Sequence, residues 1–255
     1  AVARSLHLAV PRARLVCTAG EEGRRIVNAL SALVPGCEKK LQEGSGVLLI
    51  MQFRHGFTLD HAGLRKSLGN LLESHDDNAS VAKLLRSCGR LAMMDVFLNN
   101  VDRLPLLSKN QGNPTNVLLS VPTLELVAVD SSVRSVMQEN ELVAYVEVVD
   151  RLLRQLSKGL REKKPIYGAQ RLRTFIKLHT RWDVREEGCL LLQQGMWACL
   201  RDTLKLTTRS LMEIKRNLKG VTLPDLSGSG LREEIDEGYL ECMLQLFKTH
   251  VQTAA

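Results

Sequence analysis

Residues 89–107 read GRLAMMDVFLNNVDRLPLL, residues 112–120 read GNPTNVLLS, and residues 126–132 read LVAVDSS. The first stretch closes a helical pattern. From Ala79 onward Val81, Leu84, Leu85, Cys88, Leu91, Ala92 and Val96 recur at the spacing that lines up apolar side chains on one helix face. The pattern predicts a helix of about 18 residues, stopping at Asn99-Asn100. The segment VDRLPLLSKNQGNPTN that comes next holds two prolines and Gly112, so it reads as a loop bearing polar chemistry. Val117-Leu118-Leu119 flank that loop. Leu124 to Val129 then form a short apolar strand candidate that stops at Asp130-Ser131-Ser132, leaving a carboxylate at a strand's C-terminal end.

Toward the N-terminus, Val47-Leu48-Leu49-Ile50-Met51 is an apolar run of strand length, expected to be buried, and Gly44-Ser45-Gly46 marks the turn before it. A strand is expected at Ala13 to Thr18, then a polar connection and an apolar segment from Ile26 to Leu33. Residues 1 to 8 read as the end of a helix, stopped by Pro11. Asp60 and Asn78 are each candidates for a helix entrance, because short polar side chains accept bonds from the free amides there. Toward the C-terminus the pattern is helical: Glu141 to Leu156, Gln170 to Leu178, Cys189 to Leu206 and roughly Thr208 to Leu218. Pro224 and Ser227-Gly228-Ser229-Gly230 read as a linker. A last helix is expected at about Arg232 to Val251, either packing back on the rest or belonging to a further segment of a parent protein. The chain starts at Ala1 rather than Met, without a signal-peptide pattern, and reads as a segment cut from a longer protein.

The chain's 255 residues and 28.4 kDa, with 44% hydrophobic residues, exclude disorder and suffice for one sizeable domain or two small ones. No apolar run approaches the roughly 18 residues of a membrane-spanning helix, so no membrane partner is expected. Thirty-five basic residues against 28 acidic ones give a net charge of +7, which favours acidic partners. The densest patch, Arg161, Lys163 and Lys164, precedes Pro165 and has little aromatic interleaving. A solvated loop therefore outweighs a nucleic-acid platform, and no nucleic acid is expected as partner. Six cysteines form no CxxC pair, which fits a reducing compartment and a cytoplasmic location; Cys189 and Cys199 read as core thiols, and Trp182 and Trp197 as core anchors.

Asp102, Asn116 and Asp130 supply what phosphoryl transfer needs: one carboxylate to orient a hydroxyl and two oxygen ligands for magnesium. The same residue types also close turns and cap helices, a purely structural reading that residue type leaves standing. The three quoted segments resemble the successive core motifs of the actin-fragmin kinase-like family of atypical protein kinases. Within it, GNPTNVLLS is similar to the kinase domain of the plant propyzamide-hypersensitive dual-specificity phosphatases, whose kinase phosphorylates tubulin. More distantly, the Asp-Arg, Asn, Asp order is similar to that of phosphoinositide kinases.

The resemblance covers roughly residues 1 to 215. It implies an α+β, protein-kinase-like fold: an N-lobe remnant and hinge in residues 1–53, a mostly helical C-lobe in 54–220, and a linker with a C-terminal helix in 221–255. It makes Asp102 the catalytic-loop carboxylate, Arg103 the residue that holds that loop, and Asn116 and Asp130 the magnesium ligands. Met51, Gln52 and Phe53 would meet the adenine of ATP. Asn99 and Asn100 would hydrogen-bond the catalytic loop, and Asp95 would be a polar anchor inside its helix. The implied partner is a protein substrate, actin or tubulin, and the implied location is cytoplasmic and cytoskeleton-associated. Sequence does not give the oligomeric state.

The departures are as informative. In ordinary kinases the step from catalytic Asp to Asn is about five residues, whereas the step from Asp102 to Asn116 is 14, so the loop must bulge. Asp130-Ser131-Ser132 stands where Asp-Phe-Gly is usual. No glycine-rich GxGxxG loop and no strand lysine precede the motifs, and Lys39, Lys40 and Lys66 sit outside the expected context. Two functions are compatible with the residues: the catalytic region of an ATP- and magnesium-dependent protein Ser/Thr kinase with weak activity in isolation, or a non-catalytic pseudokinase-like helical interaction module. A lipid kinase is a third.

Overall fold

The helix expected before Asn99-Asn100 organises the larger part of the chain. In the computed structural model, which describes residues 8–34, 36, 46–73, 78–107, 110–120, 123–130, 139–205 and 237–253, that helix runs Asn78–Phe97. The described residues of the chain divide into two units, 11–54 and the remainder.

In the smaller unit, β1 (Ala13–Cys17) and β2 (Val47–Met51) pair antiparallel with Leu15 opposite Leu49. Helix α1 (Glu21–Leu33) follows β1. It contains the apolar segment from Ile26 to Leu33 and begins before it, because Glu21 and Glu22 favour the positive end of a helix and Glu21 pairs with Arg25 one turn on. The Val47–Met51 run is a strand, as expected, but its described side chains are not buried. Leu48 and Ile50 are half-buried and Met51 is 51% exposed. A two-stranded ribbon with one helix has too few layers to cover both of its faces.

In the larger unit, β3 (Phe57–Thr58), β4 (Val117–Ser120) and β5 (Glu125–Ala128) form an antiparallel sheet in that order. Helix α2 (Ala62–Glu73) enters on His61 rather than Asp60: His61 Nδ1 accepts from Gly63 N at 3.0 Å, while Asp60 is engaged by the Thr58 hydroxyl at 2.7 Å. Helix α3 is Asn78–Phe97, followed after the sheet by α4 (Glu139–Glu162), α5 (Tyr167–Thr180), α6 (Glu186–Thr203) and α7 (Glu237–Thr253). Helices with two small antiparallel sheets make the chain α+β.

Helices α3 and α6 form the centre of the core. They approach backbone to backbone: a Cβ on Gly89 would stand 1.9 Å from the Leu192 carbonyl oxygen, and one on Gly195 would stand 2.0 Å from that of Arg86. Leu91, Met93, Leu192 and Met196 fill the surroundings, and Arg90 pairs with Asp202 at 2.6 Å. Cys189 and Cys199 are core thiols, and burial pushes Cys199 up to about 12, far from any reactive thiolate. Trp182 and Trp197 are half-buried.

The last helix packs back. Tyr239, Met243 and Phe247 of α7 are buried, and the Phe247 ring lies 5.6 Å from that of Phe97. The Tyr239 hydroxyl donates to Phe97 O at 3.0 Å and the Tyr145 hydroxyl to Val96 O at 2.6 Å. Buried Tyr239 and half-buried Tyr145 thus add to the bonding of the carbonyls at the end of α3, where Val96 O also accepts from Asn99 N at 3.2 Å. The expected helix at residues 1–8, apart from Leu8, the one at 208–218 and the linker at 227–230 lie outside the described residues.

Candidate active site

The end of α3 decides the course of the next loop. Asn99 takes a left-handed conformation (φ 48), and Asn100 N donates back to Asp95 O at 2.7 Å, turning the chain sharply out of the helix. Asn100 then works at both ends of its amide. Its Nδ2 donates to Asp95 Oδ1 at 2.9 Å, and its Oδ1 accepts from Asp102 N at 3.3 Å. Both expectations for these residues, loop bonding by Asn100 and anchoring by Asp95, match these contacts.

Arg103 is 1% exposed and bridges two elements. Its Nη1 donates to Asp95 Oδ1 at 2.6 Å, and its Nη2 donates to the Asp130 carbonyl and to Val129 O at 3.4 Å. The guanidinium fork suits this double task, since its planar donors diverge toward separate acceptors. Asp95 is pushed up to about 7 by burial, against the opposing pull of Arg103, Asn100 and the Leu104 amide.

The long step from Asp102 to Asn116 is absorbed by a self-bonded bulge. Buried Asn110 donates from Nδ2 to Leu104 O at 2.8 Å and accepts from Gly112 N at 2.7 Å. Gly112 has φ 77 and is hemmed in: a Cβ there would stand 2.7 Å from Pro105 Cδ and 2.8 Å from Phe175 Cε2, so only glycine fits. Asn113 N then donates to Arg103 O at 3.0 Å, returning the chain to where the bulge began. The Asn113 side chain caps a single 3₁₀ turn, Pro114–Asn116, by accepting from Thr115 N at 3.1 Å.

That turn delivers Asn116 to Asp102. Asn116 Nδ2 donates to Asp102 O at 2.7 Å and to Asp102 Oδ2 at 3.0 Å. Because both partners are acceptors, the amide nitrogen must face Asp102; Oδ1 accepts from the Thr115 hydroxyl at 3.4 Å and keeps a second lone pair for other chemistry. Asp130 arrives by strand pairing: Val117 stands opposite Ala128, and Val129 N donates to Asn116 O at 3.2 Å, so the start of β4 and the end of β5 meet. Asp102 is half-buried, Asn116 is buried and Asp130 is exposed. The structure therefore brings together Asp102, Arg103, Asn116 and Asp130, from an interval of sequence folded into one loop and one hairpin.

The other expected site residues, Met51, Gln52 and Phe53, belong to the smaller unit. Met51 is 51% and Phe53 77% exposed, and Gln52 N already donates to Arg12 O at 2.7 Å. Of the lysines considered, Lys39 and Lys40 lie outside the described residues, and Lys66 is exposed on α2. Sequence reasoning missed Asn110, whose spacing two residues before Gly112 was the available signal, and Arg171, which donates to Asn110 O at 2.7 Å and Pro105 O at 3.4 Å. Nothing in its own helical segment marked Arg171.

The donor set is made of hard oxygens. Among the described residues no group of three or more His, Cys, Asp or Glu could hold a metal unaided. Oxygen donors of this kind suit a hard cation such as magnesium, which binds through one or two carboxylates and completes its shell with phosphates and water.

An α+β domain with an Asp-Arg loop, an amide and a second carboxylate gathered at the open end of a β-hairpin is the class that this geometry defines. The family described as actin-fragmin kinase, catalytic, matches residues 2–199, and the chain belongs to that family of kinase catalytic domains. No curated protein matches the chain.

Proposed function

We propose that the chain is the catalytic region of an atypical protein Ser/Thr kinase with a kinase-like bilobal fold, transferring the γ-phosphoryl group of ATP to a protein hydroxyl. The observation that carries the reading is the bonded pair Asp102–Asn116, held beside Asp130 by Arg103. Family membership supports it independently.

Asp102 orients the substrate hydroxyl and accepts its proton. Asn116, with its nitrogen committed to Asp102, offers Oδ1, and Asp130 offers its carboxylate, as magnesium ligands. When bound, the metal neutralises charge on the transferred phosphoryl group. Arg103 touches neither ligand nor substrate in this scheme. It positions the loop by holding Asp95 and the Asp130 carbonyl together. Met51, Gln52 and Phe53 meet adenine, with Gln52 acting through its carbonyl, since its N–H is taken by Arg12. An acidic cytoskeletal protein, actin or tubulin, is the substrate that the family and the +7 charge favour, with a cytoplasmic location.

Thermal unfolding with and without magnesium and ATP tests the site, because a ligand selective for the folded state raises its stability. The midpoint should rise with both present and the rise should vanish in Asn116→Ala. An unchanged wild-type midpoint contradicts the nucleotide site and favours a non-catalytic helical module.

A further inference from the structure

Helices α4 and α5 meet in a corner that the proposed phosphate chemistry does not use. A surface groove of about 200 Å³ lies there, lined among others by Lys158, Glu162, Lys164, Pro165, Ile166 and Tyr167. The corner is stiff. Lys163 holds a left-handed φ of 53, and Lys164 N donates to Gly159 O at 2.9 Å, closing the end of α4. Gln193, fully buried on α6, accepts from Ile166 N at 2.8 Å and donates to Lys164 O at 3.2 Å. Both ends of one buried amide are thereby spent on fixing this turn.

The surface so fixed is basic and aromatic. Lys158 and Lys164 line the groove, and Arg161 and Lys163 adjoin that lining in the chain without belonging to it; all four are exposed. Glu162 is the one carboxylate lining the groove, and it pairs with Lys158 at 4.0 Å. Among the described residues Arg161, Lys163 and Lys164 have no ion-pair partner. Tyr167 is 61% exposed, with the Arg171 guanidinium 5.9 Å from its ring centroid. Through Arg171 the corner is also wired to the catalytic bulge, because the same side chain donates to the carbonyls of Asn110 and Pro105.

We propose that this corner is a docking groove for an acidic, extended segment of the protein substrate. The segment's carboxylates pair with Lys164 in the groove and with Arg161 and Lys163 beside it in the chain, and an apolar or proline side chain rests on Tyr167. Charge complementarity selects the occupant: three cations without partners favour carboxylates. A single aromatic gives no ladder on which successive bases could stack, which disfavours a nucleic acid. A groove already held by Gln193 loses little freedom on binding, so modest contacts suffice. Docking there raises the effective concentration of the acceptor hydroxyl near Asp102. The inference rests on the kinase reading for its purpose but not for its measurement.

The test is fluorescence anisotropy of the full protein with a fluorescein-labelled Glu-rich peptide. Binding should weaken as salt rises. The triple variant Arg161→Glu, Lys163→Glu, Lys164→Glu should bind about tenfold more weakly, and Tyr167→Ala about threefold. All four positions are exposed, and circular dichroism checks that each variant folds. A folded triple variant with wild-type affinity, or an affinity indifferent to salt, overturns the proposal. So does an oligonucleotide of equal charge that competes as strongly as the peptide. Absent phosphate transfer by the wild-type protein, with its peptide binding intact and charge-dependent, sinks the kinase reading while upholding the groove.

Discussion

Two arginine–carboxylate pairs, one in each unit, show how burial changes the work done by the same chemistry. Arg14 and Glu22 of the smaller unit pair at the surface, with side chains 58% and 52% exposed; Arg103 and Asp95 pair with 1% and 2% exposed. At the surface, bonding to Arg14 draws Glu22 below the usual carboxylate range, the outcome expected when water screens both groups. In the core the order reverses, and desolvation lifts Asp95 to about 7 although Arg103 stands 2.6 Å away. The exposed pair can come apart at little cost. The buried one cannot, because either partner left alone is a charge without water, and that constraint is what makes Arg103 a reliable strut between the loop of Asp102 and the end of β5.

The contrast can be broken by substitution. Asp95→Ala should cost about 3–5 kcal/mol of stability in urea unfolding, the usual penalty for stranding one member of a buried pair. A smaller cost, comparable with that of a surface change, would show that Arg103 is not held by burial. The pH dependence sharpens the point. The folded value of Asp95 lies above its ordinary 3.8, so its share of stability is full below about pH 4 and is lost as pH rises through about 7. Asp95→Asn lacks that titration, and the stability of the wild type relative to this variant should fall between those limits. A difference flat across the range contradicts the lifted carboxyl. Gln193→Ala, which strips Ile166 N and Lys164 O of their buried partner, should cost about 1–3 kcal/mol by the same measurement. The smallest effect belongs to Glu22→Ala, which should leave the melting midpoint where it was; a loss rivalling that of Asp95→Ala would erase the distinction between the two pairs.

How much of the molecule was legible in the sequence depends on the range over which each signal acts. Helix 78–97 and the strand ending before Asp130 were legible because an apolar period and its polar punctuation are local. The first turn of α1 was not, since Gly20-Glu21-Glu22-Gly23 carries no apolar pattern, only the charge preference of a helix start. The exposure of β2 was not legible either: an apolar run announces a strand, while burial depends on what lies over it. His61 was passed over as a helix entrance because imidazole is not among the usual capping groups, yet its ring is placed by stacking on Phe57 at 4.8 Å. In the site, Asp102, Asn116 and Asp130 stood out by order and type. Arg171 and Gln193 did not, because each acts on carbonyls or amides that come near only once α5 and α6 are packed.

The most direct measurement of the central claim is transfer of labelled γ-phosphate from ATP to a protein hydroxyl by the full protein, compared with its Asp130→Asn and Asp102→Asn variants at equal folded concentration. The geometry at the open end of the β4–β5 hairpin predicts magnesium-dependent transfer that falls by roughly a hundredfold or more in each variant. Transfer at the wild-type rate in either variant would contradict the assignment of phosphoryl chemistry to this site.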